Sequence, residues 1–166
     1  MKRILALALG MALSLAIMAP AAAADPDRPF SSRGTGIDTM GAPAGCPADS
    51  GWRYGSTGTL HVRHLGLSTF VVSHCSAMTG PTTGVFGHGT NTLTAADGST
   101  LVLSHWGTFD LTIGSGGPNA SSIDLHWTVV DGTGRFAGAT GSGDGFGYSV
   151  LAEGTTTMHL WGEISY

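Results

Sequence analysis

The residues of this chain that could do chemistry are seven histidines, four tryptophans, two cysteines and eleven acids. A zinc site needs ligands that converge on one point. In a strand, residues two apart share a face, yet no His-x-His occurs, and His61 and His64 stand three apart on opposite faces. No metal site is therefore expected. Gly141-Ser142-Gly143 resembles a nucleophile motif only loosely, because no strand-to-long-helix elbow surrounds it. Cys46 and Cys75 do not form a Cys-x-x-Cys redox pair. What remains is a set of histidines and aromatics whose use depends on which face of which element carries them.

The elements that must position them are strands. After residue 50 the pattern has period two, with turn residues between short runs. The runs are Gly58–His64, Leu67–Ala77, Gly87–Ala95, Thr100–Ile113, Ser122–Val130, Gly143–Leu151 and Thr155–Tyr166, with a hairpin turn at Asp97-Gly98 and a loop over Gly114–Ala120. Seven or eight short strands without a long helix predict an all-β fold, a small antiparallel barrel or sandwich.

Alternation then sorts the side chains. Leu101, Leu103, His105, Phe109, Leu111 and Ile113 share a face, as do Ile123, Leu125, Trp127 and Val129, and as do Met158, Leu160, Ile164 and Tyr166. These apolar sets belong inside. If the two strands flanking Gly114–Ala120 pair, His105 faces Trp127 inside and Trp106 faces His126 outside. Two candidate sites follow. The inner one holds His64, His105, Phe109 and Trp127, with His64 placed by its parity with Leu60 and Val62. A neutral, hydrogen-bonded core histidine is the plainer reading of a buried imidazole. The outer one holds Trp106, Asp124, His126, His159, Trp161 and Glu163. A wet strand face is its plainer reading, and the exposed tryptophans are what that reading explains least.

The chain opens on Lys2-Arg3, an uncharged run from Ile4 to Met18, Pro20 and Ala21–Ala24, the form of a bacterial secretion signal cut near Ala24. The expected divisions are a leader over 1–24, a Gly/Pro-rich arm over 25–50 and the β domain over 51–166. The leader takes two of the seven basic residues, leaving five arginines against eleven acids, a formal charge of −6. Such a chain has no electrostatic footprint for nucleic acid or anionic lipid, and no membrane insertion is expected. In an exported protein, Cys46 and Cys75 read as a disulfide that staples the arm to the body.

Asp131 to Gly143 holds five glycines around Phe136. A phosphate loop would need a long helix after it, but Gly143–Tyr148 alternates, so nucleotide binding is excluded. The stretch reads as a strand connector with one short helical turn that buries Phe136, while Arg135 either braces carbonyls in solvent or holds an anion. Gly132-Thr133-Gly134-Arg135-Phe136-Ala137-Gly138-Ala139-Thr140-Gly141, with His64-Leu65-Gly66, Ala96-Asp97-Gly98 and the closing Gly162–Tyr166, resembles small exported bacterial proteins that share an allene-oxide-cyclase-like β-barrel, related to the plant dirigent barrels. The resemblance covers roughly 55–166 and implies the barrel of the two β architectures, so the expected fold is a single small antiparallel eight-stranded β-barrel with an irregular N-terminal arm. It implies a barrel that holds a reactive hydrophobic intermediate in its plant relatives. None of their functional positions is matched residue by residue. The expected function is an exported module that binds a small apolar ligand, without a cofactor. The alternatives are an interaction protein using the outer tryptophans and a cyclase- or isomerase-type enzyme using His105. A cavity of at least about 300 Å³, the lower end of ligand-pocket volumes, would keep the binding and enzyme readings alive, whereas a barrel filled by its own side chains would remove both.

Overall fold

The computed structural model describes residues 27–112 and 120–166; the leader with its cut near Ala24, Ile113 and most of the loop over 114–120 lie outside the described residues. The chain forms eight strands: β1 Arg28–Gly41, β2 Trp52–Val62, β3 Gly66–Met78, β4 Thr83–Thr94, β5 Thr100–Asp110, β6 Ala120–Gly132, β7 Thr140–Val150 and β8 Thr155–Ser165. Each pairs antiparallel with the next, and β8 pairs back with β1, so the sheet is a closed barrel. The expected all-β, eight-stranded antiparallel barrel is the fold of this chain.

Its first strand comes from the segment read as arm. β1 bonds β2 through Ser32↔Val62 to Gly41↔Arg53 and β8 through Arg28↔Ile164 to Ile37↔Thr155. From β1 onward the irregular part of that segment is the stretch between β1 and β2, and there the Cys46–Cys75 disulfide pins it to β3, with Cα atoms 5.6 Å apart. A disulfide is compatible with an oxidising compartment. Among the described residues no helix is long and apolar enough to cross a membrane.

The two ends of the barrel differ. At the lower end the glycine-rich connector between β6 and β7 makes a single 3-10 turn, Gly134–Phe136, and inserts Phe136, which is 0 % exposed. The ring packs edge-on against Tyr166 at 4.9 Å, near buried Leu65 and Ile164. Arg135 lies over the same ring, pairs with Asp97 at 3.1 Å and donates to the His64 carbonyl. It is thus a brace in a turn cluster, the plainer of its two readings. Above this plug, Phe30, Leu60, Val62, Leu93, Leu101, Trp127 and Leu160 fill the lower half with apolar groups.

The upper half is different in kind. Its buried positions include Tyr54, Ser56, His74, Ser76, Asn91, His105, Ser121, Ser149 and Thr156. Buried polar groups cost stability unless they are paired, so this half is where a reason for them must be found.

Candidate functional site

β2, β3, β4 and β5 supply one wall of the upper chamber. Ladder register sets Ser56 beside Val72, Val72 beside Asn91, and Asn91 beside Leu103, a row at one height. The next row up sets Tyr54 beside His74 and Gly89 beside His105, with His105 opposite Trp127 on β6. Both ladders of β4 shift register here, between Ser73 and Cys75 on one side and between Phe86 and Gly89 on the other. His88 in this bulge has φ 51°, a conformation uncommon for a residue with a Cβ. Bulges re-aim neighbouring side chains. This one brings the His105 ring against a glycine: a Cβ on Gly89 would lie 2.6 Å from His105 Cε1 and 2.6 Å from His74 Cβ.

The result is a buried histidine pair, His74 Nδ1 to His105 Nε2 at 2.9 Å. One nitrogen donates and the other accepts, so at least that interface requires a neutral ring. Burial drives both histidines toward neutrality: His74 is pushed down to about 3 by burial and then by His105, and His105 is pushed down to about 4 by burial. Tyr54 stacks on His74 at 4.7 Å, and Phe86 stacks on its other side at 4.6 Å. The Tyr54 hydroxyl donates to Asp38 Oδ1 at 2.6 Å and meets Thr156 Oγ1, which in turn bonds Ser149 Oγ. Burial, reinforced by Asp38, raises the phenol above its ordinary value, so it stays protonated.

A space of about 40 Å³ lies among these groups, walled by Tyr54, Ser56, His74, Asn91, His105 and Trp127 with Phe70, Leu103, Leu125, Met158 and Leu160. A second space of about 50 Å³ shares Tyr54, His74, Phe86 and Ile123 with it and reaches the upper rim at Met40, Trp52, Phe109 and Leu151. Neither approaches the roughly 300 Å³ of a drug-sized pocket. Three buried polar atoms of residues lining the inner space have no protein partner: Ser56 Oγ, Asn91 Oδ1 and His105 Nδ1.

The structure sorts the residues singled out by sequence. His105 and Trp127 face each other inside, and Trp106 and His126 face each other outside. Trp127 is 1 % exposed, touches Phe30 at 4.9 Å and donates from Nε1 to the Asp144 carbonyl at 3.0 Å. Phe109 is half-buried at the upper rim, 5.8 Å from Trp52. His64 is not in the interior. β2 ends at Val62, and His64 sits exposed in the following turn with φ 74°, its Nε2 donating to the Pro29 carbonyl at 3.1 Å. Strand parity does not survive past the last strand residue, which is why it misplaced this side chain. On the outer face, register carries a continuous row from Trp106 to His126, Asp144 and Trp161. His126 Nδ1 bonds Asp144 Oδ1 at 2.6 Å, and His159 packs on Trp161 at 5.4 Å. Sequence reasoning missed Tyr54, Ser56, His74 and Asn91. Parity with Phe70 and Val72 was a usable signal for His74. Among the described residues no group of three or more metal ligands gathers.

No family model matches the chain, and no curated protein or solved structure matches it.

Proposed function

We propose that the protein is an exported binding module whose barrel receives a small, largely apolar molecule through its upper end. The observation that carries this is the unpartnered trio Ser56 Oγ, Asn91 Oδ1 and His105 Nδ1 beside a space walled mainly by apolar side chains. Buried polar atoms left unpaired cost about 1–3 kcal/mol each, and a ligand that bonds them would recover part of that. The secretion-like leader and the disulfide support export. The resemblance of residues 55–166 to allene-oxide-cyclase-like barrels supports an interior used to hold a guest. The present volume narrows that guest to something smaller than a drug-sized ligand.

The test is methyl and indole NMR of the disulfide-bonded protein, following Leu103, Leu125, Leu160 and Trp127 while a panel of small apolar and amphipathic compounds is added. Saturable shifts at these positions, with exposed Leu67 and Val130 on the exterior unmoved, are expected. A panel that moves none of the interior groups overturns the reading. A second reading rests on the outer row, where Trp106, Phe146 and Trp161 are 44 %, 41 % and 42 % exposed. Large exposed aromatics mark contact surfaces, and for a partner-binding face Trp161→Ala must change the oligomeric state or the partners retained.

A further inference from the structure

We infer that the chamber's guest is an uncharged alcohol smaller than benzene, a short-chain compound of fewer than about six non-hydrogen atoms; this rests on the barrel being a binding module. The size follows from the spaces of about 40 and 50 Å³ that share Tyr54, His74, Phe86 and Ile123. For scale, a cavity of about 150 Å³ takes benzene, and one water needs about 10–15 Å³.

The hydroxyl follows from the chemistry of the three unpartnered groups. Asn91 presents one amide atom without a partner, an acceptor as assigned and a donor if the amide is turned. His105 Nδ1 changes role with the proton in the His74–His105 bond: it accepts when His105 Nε2 donates to His74, and it donates when His74 Nδ1 donates to His105. Ser56 Oγ does either. A wall whose members are ambivalent calls for a guest group that both donates and accepts. An alcohol oxygen is the smallest such group. An ammonium only donates, and an ether or carboxylate only accepts.

Neutrality follows from the walls. Among the described residues, no carboxylate or guanidinium lines either space. The nearest acid in the network, Asp38, accepts the Tyr54 hydroxyl through Oδ1 and is not part of the lining. Its Oδ2 lacks a protein partner, so a cationic guest is the competing possibility that the experiment must separate. A charge taken into the chamber without a counter-charge would lose its hydration with little return.

The experiment uses three probes of one shape, 2-methylpropan-1-ol, 2-methylpropan-1-amine and 2-methylbutane, titrated into the disulfide-bonded protein while the Leu103 and Leu125 methyl resonances are followed. The alcohol is expected to bind at least about tenfold more tightly than either the amine or the alkane, the ratio for roughly 1.4 kcal/mol. In Asn91→Leu the alcohol's advantage over the alkane is expected to fall or reverse; the wild-type comparison stands by itself should this variant not fold. An alkane that binds wild type as well as the alcohol overturns the hydroxyl requirement but leaves the binding module intact. Preference for the amine overturns neutrality and transfers the recognition to Asp38. Failure of all three to move the interior methyls, leaving water as the only occupant, overturns this inference; the broader panel above then decides the binding reading on its own.

Discussion

Acid is expected to unfold this barrel through its buried histidine pair. His74 and His105 are neutral in the native state, held down to about 3 and about 4, with burial the main cause for both. In the unfolded chain each returns to about 6.5. Between the unfolded and native values the unfolded state therefore binds more protons, so stability falls as pH falls from about 6.5. The loss accrues at about 1.4 kcal/mol per pH unit for each histidine. By pH 4.5 it amounts to roughly 2–3 kcal/mol each, so roughly 5 kcal/mol for the pair, against a usual total of about 5–15 kcal/mol. The exposed acids Asp97 and Asp110 are lowered mainly by hydrogen bonds from Ser99 and Thr112. Their contributions are lost as pH falls through their native values, below about pH 4 and so outside this window. Urea unfolding at pH 7.5, 6.0 and 4.5 gives the slope directly. The control is the double variant His74→Asn/His105→Gln, in which each amide reproduces the ring nitrogen used in the 2.9 Å bond but cannot titrate. Wild type should lose several kcal/mol over this range and the double variant much less. A wild-type loss below about 1 kcal/mol, or the same slope in both proteins, refutes the argument.

Three further outcomes are expected. Reducing Cys46–Cys75, which closes a loop with a sequence separation of 29, should cost about 3–4 kcal/mol by the chain-entropy relation, read as a drop in the urea midpoint on adding dithiothreitol. Phe136→Ala should cost about 3–5 kcal/mol in the same assay, because the ring is fully buried at the lower end; a loss below 1 kcal/mol means the plug is dispensable. Gly89→Ala should cost about 1–3 kcal/mol by overpacking, since its Cβ would meet both histidines, and the loss should shrink in a His105→Ala background if that contact is the cause.

Much of the barrel could be read from alternation, because one face of most strands carries large apolar residues. Leu101, Leu103 and His105 on β5 and Leu125 and Trp127 on β6 made both the buried face and the cross-strand partner of His105 legible. β1 was not legible for the opposite reason. After Phe30 its inward positions are Ser32, Gly34, Gly36 and Asp38, small or polar groups that leave no apolar stripe. They are small because the barrel is tight there: a Cβ on Gly36 would lie 2.6 Å from the Phe70 ring. Ser56, Asn91 and His74 escaped attention on similar grounds. Polar types on a strand suggest a solvent face, although these three share the parity of inward Leu60, Leu93 and Val72. The outer pair Trp106–His126 was legible by parity, whereas the link from His126 to Asp144 required the β6–β7 register.

Closure of β1 onto β8 sets the order in which the molecule can become complete. Arg28, at the start of the first strand, pairs with Ile164, two residues from the C-terminal Tyr166. During synthesis the strand that emerges first must wait for the one that emerges last. Until then β1 and β8 each present an unpaired edge, the kind of surface that recruits other chains, and a contact of such long range forms slowly. Loss of β1 would make that interim state permanent. The ladder to β8 therefore begins at Arg28, and each residue removed beyond that point takes a rung from it.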